Sequence, residues 1–473
     1  MRRLLLAALL VACGPSAART GPSAPPPGTP GAPGTPGMPG TPGTPPGAPI
    51  DRAAMVARVR AELQHAWAGY AKYAWGHDEL KPLTHAAKDW YAAPLLITPV
   101  DALDTLVMLG LTIEAEAARR LIDDRLSFDQ DVTVKNFEIT IRVLGGLLSG
   151  YQLTGDRKLL WLADDLGARL LPVFDSPTGM PYMYVNLKTG QVSGARSNPA
   201  EIGTLLLEFG VLSKLTRKAV YYDKARAAVV HLFERRSPLG LVGSEIDVES
   251  GRWTDPTSHV GGGIDSYYEY LLKSAILFSD PELAQMWRTS AAAMNQYVAD
   301  EVAGGLWYGE VDMASGKRTA SQFGALHAFL PGLLVLGGDV DRARRLEASC
   351  FRMWRLRGLE PEVIDYRTMA IVHPGYPLRP EIIESAWYLR RATGDPAYLA
   401  MGQTFLDDLV GHTRTEAGFT VITSVQTMAQ GDLMPSYFLA ETLKYLYLIF
   451  APDDAVDPHV VFTTEAHPLR PTW

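Results

Sequence analysis

Four segments set carboxylates inside apolar helical runs: Asn136-Phe-Glu-Ile-Thr-Ile-Arg142, Gly263-Ile-Asp-Ser-Tyr-Tyr-Glu-Tyr270, Leu378-Arg-Pro-Glu-Ile-Ile-Glu384 and Phe462-Thr-Thr-Glu-Ala-His467. Burying an acid costs several kcal/mol unless it is paired, hydrogen-bonded or protonated. Several such acids in one chain point to a polar site within a helical bundle, and two acids around a cavity are what sugar hydrolysis requires. Glu138 is flanked by Phe137 and Ile139, with Arg142 at i+4 on the same face. That spacing makes either an intrahelical salt bridge or an acid whose proton affinity is set by burial beside a cation. Asp265 follows three glycines. It is placed to cap a helix, and the glycines would also let backbone approach a ligand.

Glu381 follows Arg379-Pro380 and precedes Glu384 by one turn, so both acids share a helix face among Leu378, Ile382, Ile383 and Trp387. Favourable placement of acids in a first helical turn explains part of this; two inward acids beside Arg379 also suit a bound water or cation. Thr464-Glu465 follows the apolar pair Val461-Phe462. It reads either as a plain tail or, through hydroxyl and carbonyl oxygens near carboxylates, as a ligand for a hard cation such as Ca2+. Zinc is disfavoured because the ten histidines are scattered without a His-x-x-x-His pair. No nucleophile elbow, P-loop or Cys-His arrangement is present.

Helices must position these groups. From Ile50 onward the apolar periodicity is helical, broken by Gly-Asp and Asp-Pro joints such as Leu153-Thr-Gly-Asp156, Ser279-Asp-Pro-Glu282 and Ala392-Thr-Gly-Asp-Pro396. Gly ends one helix in a left-handed conformation, Asp caps the next, and Pro fits its first position. Such joints make helix hairpins. The folded part, residues 50–473, holds on the order of fourteen helices at roughly 30 residues per helix and loop. The expected fold is all-α, a closed (α/α) toroid; an open superhelix is disfavoured because the repeats are dissimilar. The best strand signal, Pro181-Tyr-Met-Tyr-Val-Asn-Leu187 before Lys188-Thr-Gly190, suggests a hairpin on the rim.

The chain has 473 residues, 47% of them hydrophobic, and a net charge of −8. No basic cluster follows the first residues, so the chain lacks the concentrated positive surface that nucleic-acid phosphates require. Met1-Arg-Arg3, the apolar run Leu4–Ala12 and Cys13 read as an export signal over residues 1–12 with a lipid-anchor Cys13, since Leu-Val-Ala-Cys resembles the bacterial lipoprotein box. Cleavage near Ser16-Ala-Ala18 is the alternative. Residues 13–49 form a Pro/Gly/Thr-rich spacer, and residues 50–473 the catalytic domain. The only cysteine besides Cys13 is Cys350, so no disulfide within the folded part is available.

Together these segments resemble the class I α-mannosidases, glycoside hydrolase family 47, here a bacterial member. The resemblance spreads over residues 90–470 and includes Val100-Asp-Ala-Leu-Asp-Thr-Leu106, Phe137-Glu-Ile-Thr-Ile-Arg-Val-Leu-Gly-Gly146 and Ala200-Glu-Ile-Gly-Thr-Leu205. It continues through Asp265-Ser-Tyr-Tyr-Glu-Tyr270, Phe329-Leu-Pro-Gly332, Leu378-Arg-Pro-Glu381, Glu441-Thr-Leu-Lys-Tyr-Leu446 and Thr464-Glu-Ala-His-Pro468. It implies an (α/α)7 barrel with Ca2+ in its cavity, removing terminal α-1,2-linked mannose from mannose-rich glycans or mannan with inversion. By position, Glu138 is the expected general acid, Glu381 the general base and Asp265 the third catalytic carboxylate, the proton donor being open between Glu138 and Asp265. Thr464 is the expected Ca2+ ligand, and Arg142, Glu201, Arg379, Glu384 and Glu465 the sugar-pocket residues.

Three positions depart from the family pattern. Met434-Pro-Ser-Tyr437 has Pro435 where the family often has Glu, which removes an expected pocket carboxylate; Gly263 stands where many members have Arg; and Ala325 replaces a His, with His327 two places later. These departures keep two alternatives open, a mannose-binding relative without hydrolysis and a preference for another linkage such as α-1,3. The resulting expectation is an exported, monomeric lipoprotein anchored at a bacterial membrane by its N-terminus.

Overall fold

The computed structural model describes residues 50–302 and 304–473. The export signal, Cys13 and the spacer lie outside the described residues. Helices alternate between two kinds. One kind is buried nearly all round: Ile97–Asp101 with Leu103–Met108, Asn136–Glu138 running through Thr154, Pro199–Gly203 with Leu206–Thr216, Asp265–Phe278, Leu330–Leu336, Glu381–Thr393, and Phe438–Thr442 with Leu443–Phe450. The other kind buries one stripe: Arg52–Tyr73, Thr112–Arg125, Arg157–Leu170, Ala219–Glu234, Pro281–Ala293, Val340–Trp354 and Ala397–Thr413. Val340–Trp354 is typical, burying Ala343, Leu346, Cys350, Met353 and Trp354 along one side, as an amphipathic surface helix should.

This is an (α/α)7 barrel, with the fully buried helices as the inner ring. The first outer helix closes it by packing on Leu443–Phe450, and the Arg52 guanidinium donates to the Phe450 carbonyl at 3.1 Å. Inner helices approach closely where side chains vanish. A Cβ on Gly146 would lie 2.6 Å from the Val100 carbonyl oxygen, so only glycine lets these two inner elements touch.

The two ends of the barrel differ. Inner-to-outer joints are two or three residues long and use the predicted chemistry. Gly155 (φ +75°) and Gly394 (φ +68°) end their helices left-handed, and the Asp156 and Asp280 carboxylates accept from the first-turn amides of the next helix. Outer-to-inner connections instead carry β-hairpins. Among the described residues there are nine sheets of two or three strands, the small rim hairpins expected, of which the sequence signalled one segment. That hairpin exists, with Tyr184–Asn186 pairing with Val192–Ser193 and with Thr133–Lys135. Since these connections lead into the inner helices, the inner N-termini open on their end; the last strand pair, Val461–Phe462 with Pro468–Leu469, follows the final inner helix instead.

Candidate active site

The nine site residues expected from sequence line one cavity of about 340 Å3 at that end, within the roughly 300–1,000 Å3 of small-molecule sites. Glu138, Glu201, Asp265 and Glu381 come from the starts of four different inner helices, where the unpaired amides and the helix dipole favour negative charge; Glu384 follows Glu381 by one turn, and Glu465 lies on a turn between two strands. Eight acidic and three basic side chains line the cavity.

Glu138 ends a short α-turn and is followed by a π-helical stretch, Ile139–Leu144; π-bulges often occur at functional sites. The ion pair with Arg142 forms as its i+4 spacing suggests. Glu138 lines the cavity, and its Oε2 accepts from Arg142 Nε at 3.1 Å, with Nη2 also at 3.1 Å. Lys135 Nζ lies 3.8 Å from Glu138 and 2.7 Å from Glu201. Burial raises Glu201 to about 7, although Lys135 pulls it down.

Asp265 is the first residue of its helix rather than a cap; its Oδ1 accepts from the Ser266 amide at 2.8 Å. The chain enters through Gly263 at φ +91°. Burial raises Asp265 to about 7 against that hydrogen bond. Glu381 is likewise first in its helix and is raised by burial to about 8, with Arg379 opposing. Its Oε2 is buried and without a hydrogen-bond partner. Arg379 is held by Glu362 at 2.7 and 3.2 Å. Leu378, just ahead, has φ +68°, a strained conformation for a bulky residue. Its carbonyl is fixed by Thr442 Oγ1 at 2.7 Å.

One turn deeper lies an acidic floor of Glu269, Glu384, Glu441 and Glu465, all below 9% exposed. Lys273 contacts Glu269 directly and Glu384 at 3.5 Å, and Tyr445 donates to Glu384 at 3.1 Å. Burial raises Glu384 to about 7 despite Lys273, and Glu441 further still. Thr464 reaches this floor on a turn between strands Val461–Phe462 and Pro468–Leu469. The turn is tied down from several sides. Lys444 Nζ donates to the Ala466 carbonyl at 2.6 Å, the Thr464 amide meets Tyr270 Oη at 3.4 Å, and Arg142 contacts Glu465. Below it, His467 bridges Asp104 (2.7 Å) and Asp101 (3.3 Å), all fully buried. Burial opposes a charge on His467, yet the two aspartates raise it to about 8.

Among the described residues, no three acid, histidine or cysteine side chains converge closely enough to grip an ion directly. A cation would instead sit on the Thr464 hydroxyl and carbonyl and reach the floor acids through water. The excess of acids and the unpartnered Glu381 Oε2 fit such a cation, whose chemistry suits Ca2+.

Without a cation the buried acids set a pH dependence. Asp265, Glu201, Glu208, Glu381 and Glu384 bind protons more tightly folded than unfolded. Glu347 and Glu360, fully buried and without hydrogen-bond partners, do the same. From roughly pH 4.3, the ordinary Glu value, to about 8, the native state holds more protons than the unfolded one. Stability therefore falls as pH rises through that window. Chelator-treated protein should melt at a lower temperature at pH 8 than at pH 5.5; a flat or rising profile contradicts these proton affinities.

Sequence reasoning missed Lys135, Glu269 and Glu441 and the aromatic walls Phe329 and Tyr437. Glu269 lies at i+4 from Asp265 and Glu441 in an apolar run, so the same reasoning could have found both. Of the three departures, Pro435 and Ala325 are buried and are not among the residues lining the cavity. Only Gly263 borders the cavity.

The pattern of glycosyl hydrolase family 47 matches residues 62–471. The chain belongs to this family. The family 47 barrel is similar to the solved α-1,2-mannosidase from Trichoderma reesei, with a TM-score of 0.83, 27% identity and coverage of 90% of this chain and 100% of that one. It is 39% identical to ER degradation-enhancing α-mannosidase-like protein 2 of Mus musculus, over 90% of this chain and 79% of the relative. It is 35% identical to mannosyl-oligosaccharide 1,2-α-mannosidase IB of Homo sapiens, over 87% and 69%. The chain is thus a glycoside hydrolase of α-mannosidase type.

Proposed function

We propose that this enzyme is a Ca2+-dependent, inverting exo-α-mannosidase that removes terminal α-1,2-linked mannose from mannose-rich glycans. The observation that carries the proposal is the convergence of Glu138, Asp265 and Glu381 on one cavity whose floor joins Thr464 to excess acid. The terminal sugar lies on that floor, against Tyr437, whose hydroxyl is anchored to the Pro377 carbonyl at 2.6 Å. Glu381 takes a proton from water attacking the anomeric carbon, and an acid across the cavity protonates the departing oxygen. Such a pair inverts when its carboxyls stand roughly 6.5–9.5 Å apart with water between them. Ca2+ when bound would orient sugar hydroxyls and water and offset the negative floor, drawing Glu381 toward its ionised, basic form.

Asp265 is the better proton donor. Arg142 and Lys135 both approach Glu138, whereas among the described residues no cation pairs with Asp265, which holds its proton to about pH 7. Asp265→Asn should cost α-1,2-mannobiose turnover about a hundredfold or more and α-mannosyl fluoride, whose leaving group needs no proton, far less. Equal losses on both substrates would reassign the donor.

Linkage-defined mannobioses test the function as a whole. The reading expects release from the α-1,2 isomer well above α-1,3, α-1,4 and α-1,6; preference for α-1,3, or none released from any, overturns it. We further propose export and anchoring through Cys13, with the protein monomeric. Among the described residues no helix is long and apolar enough to cross a membrane. Metabolic labelling with a palmitate analogue should mark the wild-type protein and not Cys13→Ser; equal labelling of both rejects the anchor.

A further inference from the structure

The cavity has a depth gradient that separates two jobs. Glu384, Glu441 and Glu465 on the floor are at most 7% exposed. At the other end Lys135 and Glu138 side chains are 32% and 23% exposed, and Gly262 is open to solvent. An exo-enzyme holds the terminal sugar at the closed end, so the leaving sugar must occupy the open one. There Lys135 is the only cation of the lining not committed to the floor or to Glu362. Its strand pairs with Tyr184 and is pinned by Tyr91 Oη on the Lys135 amide at 3.1 Å, so the ammonium is carried on a fixed backbone.

Its partner is equally fixed. Glu201 sits in the first turn of its helix, with its amide bound by Asn198 Oδ1 at 3.0 Å. The next amide back, Ala200, donates to the Gly263 carbonyl at 2.9 Å. Glu201 Oε1 meets Lys135 at 2.7 Å, while its Oε2 is buried against the cavity without a partner. An unpartnered buried carboxylate oxygen is an unmet acceptor. Beside it, Gly262 and Gly263 present no side chain: a Cβ on Gly262 would meet Leu326 Cδ1 at 2.7 Å and one on Gly263 would come no nearer than 3.8 Å to Asn198, so the lack of side chains keeps this rim of the cavity clear.

We infer that Lys135 and Glu201 form a polar clamp for the leaving sugar, Lys135 donating to one of its hydroxyls and holding Glu201 ionised so that Oε2 accepts from another. Lys135 is on this account a specificity-determining residue that makes the enzyme select a sugar, rather than a simple alcohol, as the leaving group. The inference rests on the proposed mannosidase reading and deepens it.

The test compares α-1,2-mannobiose with α-mannosyl fluoride, which leaves the open end empty. In Lys135→Met the ratio of kcat/KM values, mannobiose over fluoride, should fall about tenfold to a hundredfold, the range for a lost charge-assisted hydrogen bond. The fall should lie mainly in KM, and Lys135→Arg should recover most of it. Calorimetry supplies a readout independent of turnover. In the Glu381→Gln background with Ca2+, mannobiose should bind more tightly than mannose, and Lys135→Met should erase that advantage. An unchanged ratio, a loss equal on both substrates, or a preserved binding advantage overturns the clamp. Inactivity of the wild-type enzyme on mannobiose would strike the mannosidase reading alone, because the binding comparison still decides the role of Lys135.

Discussion

Glu381→Gln should lower turnover of α-1,2-mannobiose by about a thousandfold or more while leaving sugar affinity within a few-fold. Removal of a general base typically costs 10²–10⁴-fold, and glutamine preserves size and hydrogen bonding but cannot accept the proton from water. The substitution is also structurally mild. Arg379 keeps its Glu362 partner at 2.7 Å, so no buried cation is orphaned. Glu381 itself has a proton affinity lifted by burial to about 8, so replacing it by a neutral isostere removes a burden at alkaline pH. The variant should melt no lower than wild type at pH 8 without Ca2+. Steady-state kinetics with calorimetric sugar titration checks both halves. Turnover within tenfold of wild type would reject Glu381 as the base.

Removing Ca2+ should have an effect of comparable size. Chelation should take mannobiose hydrolysis to background, and added Ca2+ should restore it. A cation that binds only the folded state at a hundred times its Kd stabilises by about 2.7 kcal/mol, so Ca2+ should raise the melting temperature. The rise should be larger at pH 8, where the ionised floor acids most need a counter-charge, than at pH 5.5. Thr464→Ala removes the hydroxyl ligand and should weaken Ca2+ binding about tenfold to a hundredfold with the folded apo-protein unchanged. Full activity in excess chelator, with no thermal shift on adding Ca2+, would remove the cation from the account.

Much of this architecture was legible in the chain because its determinants are local. Gly155, Asp156, Asp280 and Gly394 act within a few residues, and the structure uses them as their chemistry dictates. The acids were legible because a carboxylate inside an apolar run is costly in any fold. The positions of most rim hairpins were not. Their strands are mostly two to four residues long, too short for alternation to declare itself, and they exist because successive inner helices share one rim. Lys135 was illegible for a related reason: its meaning lies in Glu201, 66 positions along the chain, and only strand pairing with Tyr184 and the Asn198 cap bring them together. Next to each other in sequence, Ser436 bonds the buried Asp101 while Tyr437 lines the cavity.

The central claim is that Glu381 delivers water to the face of the sugar opposite the departing oxygen, with the partner acid across one cavity. Proton NMR of α-1,2-mannobiose during the first minutes of hydrolysis by concentrated, Ca2+-loaded enzyme reads this directly. The account predicts that β-mannose appears first and the α anomer accumulates only by mutarotation; α-mannose appearing first would contradict it.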